Sequence, residues 1–174
     1  NTINLLKDFM EQKYEQLVEK FNQYYGPFKM KNKRINLYYD VMGNKSQANS
    51  YTTYGEDIHN MLRQNGWHVS LGSVYNFYID HPTKFNIWKK VLDESPTRDQ
   101  RYPTFRYNKD NAFRAFVSMA KAEQKEVNGL ITKDKKDEKN ASKDQQYTTH
   151  FSDCTDYAVC TPLLPLYQGS DIIQ

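Results

Sequence analysis

Apolar residues in this sequence come in short runs at helical spacing, each cut by Gly or Pro. Such a chain folds as short helices that must share a core. The longest run spans residues 3–25. Leu5, Leu6, Phe9, Met10, Tyr14, Leu17, Val18, Phe21 and Tyr25 recur every three to four residues, and Gly26-Pro27 ends the pattern. Its apolar stripe is wide, which suits a globular core or a partner helix better than a narrow two-stranded seam. Residues 55–65 predict another helix, with Ile58, Met61 and Leu62 on one side, Glu56 and Asp57 in the first turn, and Gly66 as the closing residue. Ser70 stands where it would cap the next one, which carries Val74, Phe77 and Tyr78 and stops at Pro82. Two more helices are expected over 83–94 and 110–127.

The remaining stretches read differently. Residues 35–42 fit a strand and a helical face equally well. Over 97–107, Tyr102, Phe105 and Tyr107 are interspersed with basic residues, predicting a short strand or extended arm. Residues 132–146 are almost without apolar content and predict a polar linker or loop. Hydrophobicity returns from residue 147, but Pro162 and Pro165 are expected to forbid a regular helix. The expected fold is therefore mainly α: a small helical domain with a helix-turn-helix-like unit and a minor β component. The helical domain covers 1–131, its helix-turn-helix-like unit 55–81, the linker 132–146, and an irregular tail 147–174 packs on the core or a partner.

Several function classes drop out. No apolar run approaches the roughly 20 residues of a membrane span, so no membrane partner is expected. Aromatics at 14% argue against a disordered chain. Two cysteines, Cys154 and Cys160, are too few for a disulfide scaffold, which points to an intracellular protein, nuclear if eukaryotic and otherwise cytoplasmic. No G-x-G, G-x-S-x-G or H-E-x-x-H occurs, and Gly43-Asn44-Lys45-Ser46 lacks phosphate-loop spacing. His150, Cys154 and Cys160 match no short zinc module. The expectation is a non-enzyme with no catalytic residues, no metal and no cofactor.

Charge gives the positive signal. The chain carries 24 Lys+Arg against 21 Asp+Glu, a formal +3, too little by itself to demand a polyanion. The base is clustered, however. Lys29, Lys31, Lys33 and Arg34 follow one another with no acid between, and Arg98, Arg101, Arg106, Lys109 and Arg114 form a second group diluted by Asp99 and Asp110. Clustering of this kind suits a phosphate backbone, and equally a solvated surface.

The segment Asp57–Tyr78 adds an architecture. Within it, Gly66-x-x-Val69-Ser70-x-x-x-Val74-Tyr75 resembles the turn and second helix of winged-helix DNA-binding domains. The resemblance implies that Val69 and Val74 are core while Ser73, Tyr75 and Asn76 face outward. It implies that Asn76 pairs with adenine and Tyr75 reaches a phosphate or base. That helix has no Arg or Lys before Lys84, so Lys29, Lys31, Lys33, Arg34, Lys84, Lys89 and Lys90 would supply the phosphate contacts. Tyr38, Tyr39 and Tyr54 would stack on single strands. The same residues also fit two core helices of any small helical domain. Two functions follow. One is a nucleic-acid-binding, DNA-directed accessory or regulatory protein with protein subunits as further partners. The other is a protein-only scaffold subunit docking through helix 3–25 and the C-terminal tail.

Overall fold

The computed structural model describes residues 1–28, 31–46, 51–72, 78–140, 142–145 and 148–169. In chain order its elements are β1 (Thr2–Leu5), α1 (Tyr14–Tyr25), β2 (Arg34–Leu37), α2 (Tyr54–Gln64), β3 (His68–Leu71), α3 (His81–Val91), β4 (Thr104–Tyr107), α4 (Phe113–Ala120), β5 (Gln124–Val127), β6 (Leu130–Lys133) and α5 (His150–Tyr167). Single 3-10 turns occupy Gly26–Phe28, Val41–Asn44 and Lys136–Lys139. The expectation of a mainly α chain is corrected. The protein is mixed α/β: of the described residues 46% are helical, 3-10 turns included, and 17% are strand or bridge, in three two-stranded sheets and one isolated bridge. It divides into two compact units, one of Asn1–Asp8 with Ile79–Gln174 and one of Phe9–Tyr78.

The Phe9–Tyr78 unit is built on a strand–helix–strand crossover. β2 and β3 pair in parallel, Arg34 opposite His68 and Leu37 opposite Leu71, with α2 between them in sequence. α2 begins at a reciprocal cap: the Glu56 N–H donates to Thr53 Oγ1 at 3.2 Å, and the Thr53 N–H donates to Glu56 at 2.8 Å. It ends where Gly66 takes φ 84°, a left-handed turn that favours Gly. Val18, Leu62 and Trp67 form the core, with Phe21, Tyr25, Ile35, Ile58, Met61 and Val69 packed on it. Trp67, 5% exposed, donates its indole N–H to Asn22 Oδ1 at 2.7 Å.

Here the expected turn and cap of the helix-turn-helix unit are corrected. Ser70 caps no helix; it lies within β3, and the chain leaving Gly66 runs extended beside β2. Trp67 and Val69 face the core at every second residue, a strand period that a helix could not satisfy. Ser73, Tyr75 and Asn76, with Val74 and Phe77, lie outside the described residues. Pro82 does not stop a preceding helix. It sits in the first turn of α3, where its missing N–H costs nothing, and Asp80 caps that turn by accepting from the Thr83 N–H at 2.7 Å.

The other unit pairs its first strand with one a hundred residues on: β1 and β4 run parallel, Thr2 opposite Thr104 and Leu5 opposite Tyr107. The expected helix 3–25 is therefore cut to Tyr14–Tyr25, because Ile3 belongs to the core of this unit and Val18 to that of the other. Ile79, Ile87, Val91, Tyr102, Val159, Cys160, Leu163, Leu164 and Leu166 make that core. The expected helix 110–127 stops at Ala120. β5 and β6 then form an antiparallel hairpin through Asn128 (φ 53°) and Gly129 (φ 77°), both left-handed as a two-residue turn requires. α4 has no side-chain cap of its own, and Asp8, 6% exposed, accepts from the Ala115 N–H at 3.1 Å and from Arg114. α5 is the second large correction. Pro162 and Pro165 each withhold a helical hydrogen bond, yet the helix runs through both. Phe151, Val159, Leu163, Leu164 and Leu166 are buried along it, and that packing outweighs the local loss.

Candidate nucleic-acid interface

The strand pattern of β2 and β3 sorts side chains onto two faces. Ile35 and Val69 turn to the core, so Arg34, Asn36, His68 and Ser70 are left exposed on the outer face. Parallel register brings them side by side: Arg34 is level with His68, and Asn36 with Ser70. The basic connector enters at the same end. Lys31 and Lys33 are exposed there, and Lys33 accepts the His68 N–H at its backbone carbonyl, 2.7 Å away. Beside β3, a shallow hollow of about 450 Å³ is lined by Arg63, Gly66, Trp67, His68, Val69 and Ser70.

At least four of the six acids of this unit have partners of their own. Glu11 pairs with Lys20, Glu56 closes the cap of α2, Asp57 accepts from Tyr14 at 3.3 Å, and Asp40 accepts the Met42 N–H at 2.6 Å. Among the described residues, no carboxylate forms an ion pair with Lys31, Lys33, Arg34 or Arg63. Lys29 lies outside the described residues. Tyr39 is wedged between two glycines: a Cβ on Gly43 or Gly55 would meet its ring at 2.6 Å. It is a packing residue, as is Tyr38, whose ring closes on Gly72. Tyr54 is 41% exposed.

The other expected cations lie in the other unit. Lys89 and Lys90 are exposed in the last turn of α3, where positive charge also complements the helix dipole. Lys84 is 5% exposed, its ammonium 4.7 Å above the Tyr157 ring, so it is not part of an open basic surface. The second basic group is largely occupied by structure. Arg98 donates to Thr104 Oγ1 and the Tyr102 carbonyl, Arg114 binds Asp8, and Arg101 forks onto Asp99, whose carboxyl is pulled down to about 2.

A second feature of this unit is a cavity of about 230 Å³ between α3, α5 and the β5–β6 hairpin. Lys133 forms its charged wall: its ammonium donates to Ser152 Oγ at 3.0 Å, Asp153 at 2.8 Å and Asp156 at 2.9 Å. Asp156 also accepts from the Trp88 indole at 2.8 Å, and Asp153 from Lys135. Burial raises the Asp153 carboxyl, but the hydrogen bonds from Lys133 and Lys135 outweigh it and leave the group below its ordinary value. Burial, then Lys84 and Lys133, hold the His81 imidazole below its ordinary value. Cys160 is buried, its thiol pushed up to about 12 by burial and then by Asp156. Among the described residues no group of three or more His, Cys, Asp or Glu is placed to hold a metal ion.

Arg63, Asn36, His68 and Ser70 were not among the residues expected at a site. The period-two alternation in R-I-N-L and H-V-S-L was the signal that would have found three of them. Compared with known proteins, the chain matches no family model, no curated protein and no solved structure. Among the described residues no helix is long and apolar enough to cross a membrane.

Proposed function

We propose that this chain binds nucleic acid, gripping the phosphate backbone with the outer face of β2–β3 and the basic connector before it, as an accessory part of a larger DNA-acting assembly. The observation that carries the reading is the parallel register that sets Arg34 beside His68, with Lys31, Lys33 and Arg63 at the same end and, among the described residues, no carboxylate paired with those four cations. Phosphate oxygens need donors and positive charge but no deep pocket, and this face supplies both. The contacts position a strand without reading its bases. The apolar stripe of α1 and the C-terminal apolar residues, which motivated the scaffold alternative, contribute to the cores of their own units.

A salt titration tests the proposal. Four cations on phosphates predict a log–log slope of roughly −3.6 for duplex DNA, which is about a 100-fold loss of affinity between about 50 and 200 mM salt. Fluorescence anisotropy with labelled duplex and single-stranded DNA, and RNA as comparator, reads it directly. Absence of salt-sensitive binding to all three would overturn the reading.

A further inference from the structure

We infer that the cavity over α3 receives one unstacked base of a single strand. The inference rests on the nucleic-acid reading above but concerns a different surface. Phe85 and Trp88 of α3, with Leu92 just past its end, line the cavity together with Ile131 and Met119. Phe85 is 37% exposed and Leu92 55%, so apolar surface forms an open rim. The volume of about 230 Å³ lies under the roughly 300–1,000 Å³ of sites for drug-sized ligands, so it suits a single flat ring system.

The same three side chains also line a second, open hollow on the outer side of α3, together with Asn86, Lys89, Lys90 and Tyr167. An aromatic ridge thus runs between a recess and a groove that carries two ammonium groups. That is the chemistry of single-strand binding, in which cations follow the backbone and aromatic faces take the bases. Two of the acids at the cavity have cationic partners. Asp156 is held by Lys133 and Trp88, and Glu123 pairs with Lys136 at 2.8 Å. Asp93, at the edge of the hollow, accepts the Ser95 N–H at 2.9 Å. Gln124 brings an amide to the cavity, which can meet a base edge without fixing which base. A base in a duplex is stacked and paired, and cannot enter a recess.

The test uses the full chain and short oligonucleotides labelled with fluorescein, read by anisotropy, with a central 2-aminopurine as a stacking reporter. Phe85→Leu keeps an apolar side chain but removes the flat face, and Phe85→Tyr keeps both. Phe85→Leu is expected to weaken single-strand binding about ten-fold, leave duplex binding and the salt slope unchanged, and abolish the 2-aminopurine quench. Phe85→Tyr should bind as the parent does. An oligonucleotide with an abasic centre should lose the same factor on the parent and nothing further on Phe85→Leu. Single-strand binding that is indifferent to both Phe85→Leu and the abasic site overturns the pocket while the backbone interface stands. Quenching that survives Lys31→Ala/Lys33→Ala/Arg34→Ala with unaltered salt dependence overturns the interface while the pocket stands. No binding to any strand overturns both.

Discussion

Lys133 is the side chain whose loss should be felt most widely in its unit. Its ammonium, with a side chain 13% exposed, bridges Ser152, Asp153 and Asp156 on α5, and the Asp156 side chain is only 7% exposed. Lys133→Met retains the stem and removes the charge. Asp156 is then left as a buried anion with the Trp88 N–H alone, while Asp153 keeps Lys135. Breaking a buried pair costs about 3–5 kcal/mol; the bridge retained at Asp153 puts the expectation at about 2–4 kcal/mol. For a unit of this size that corresponds to a fall in Tm of about 10–20 °C. Urea unfolding, with hydrogen exchange of α5 amides as the local reporter, measures it. Adding Asp156→Asn should recover more than half, because an amide oxygen still accepts from Trp88 and no charge is stranded. A Lys133→Met protein within about 0.5 kcal/mol of the parent would refute this reasoning and place the pair among the weak surface ones.

Other expectations follow from single contacts. Gly55→Ala in α2, which propensity alone would make stabilising by roughly 1 kcal/mol, should instead destabilise, since the new methyl meets the Tyr39 ring at 2.6 Å; a denaturant midpoint settles the sign. Gly129→Ala forces a side chain into φ 77° and should cost about 1–2 kcal/mol in the β5–β6 hairpin, read as faster exchange of its amides. Asp153 has a lowered native carboxyl value, so its contribution is present above the ordinary carboxylate range and disappears as pH falls through the native value. Lys135→Met should therefore move the acid unfolding midpoint upward. In the native protein a thiol reagent at pH 8 should modify exposed Cys154 and spare Cys160, whose thiol is buried and raised to about 12; unfolding should release the second.

The parts of the fold that were legible in the sequence are those fixed by neighbours in the chain. α2 could be read because Glu56 and Asp57 open it, Ile58, Met61 and Leu62 share one side and Gly66 closes it. β1 could not, because Thr2–Leu5 becomes a strand only by pairing with Thr104–Tyr107, and the apolar spacing that continues into α1 disguises the break. The Asn128-Gly129 pair is a hairpin-turn signal, but the alanine-rich stretch before it has helix propensity that masks the break at Ala120. α5 is hidden for the opposite reason: two prolines argue locally against a helix, while the row of apolar residues that favours it counts only once the core buries it. At the site, the run Lys31, Lys33, Arg34 was visible as charge, but its partner His68 is brought level only by the parallel register. Lys84 carried a readable warning. It precedes Ile87 and Val91 at helical spacing, on the face that α3 turns inward.

The most direct test of the account is the salt slope of duplex binding for Lys31→Ala/Lys33→Ala/Arg34→Ala beside that of Lys89→Ala/Lys90→Ala. Loss of three phosphate contacts should flatten the first slope by about 2.7, with a circular dichroism spectrum unchanged, while the second keeps the parent slope on duplex. Equal slopes for the parent and the triple variant would contradict the claim that the outer face of β2–β3 holds the backbone.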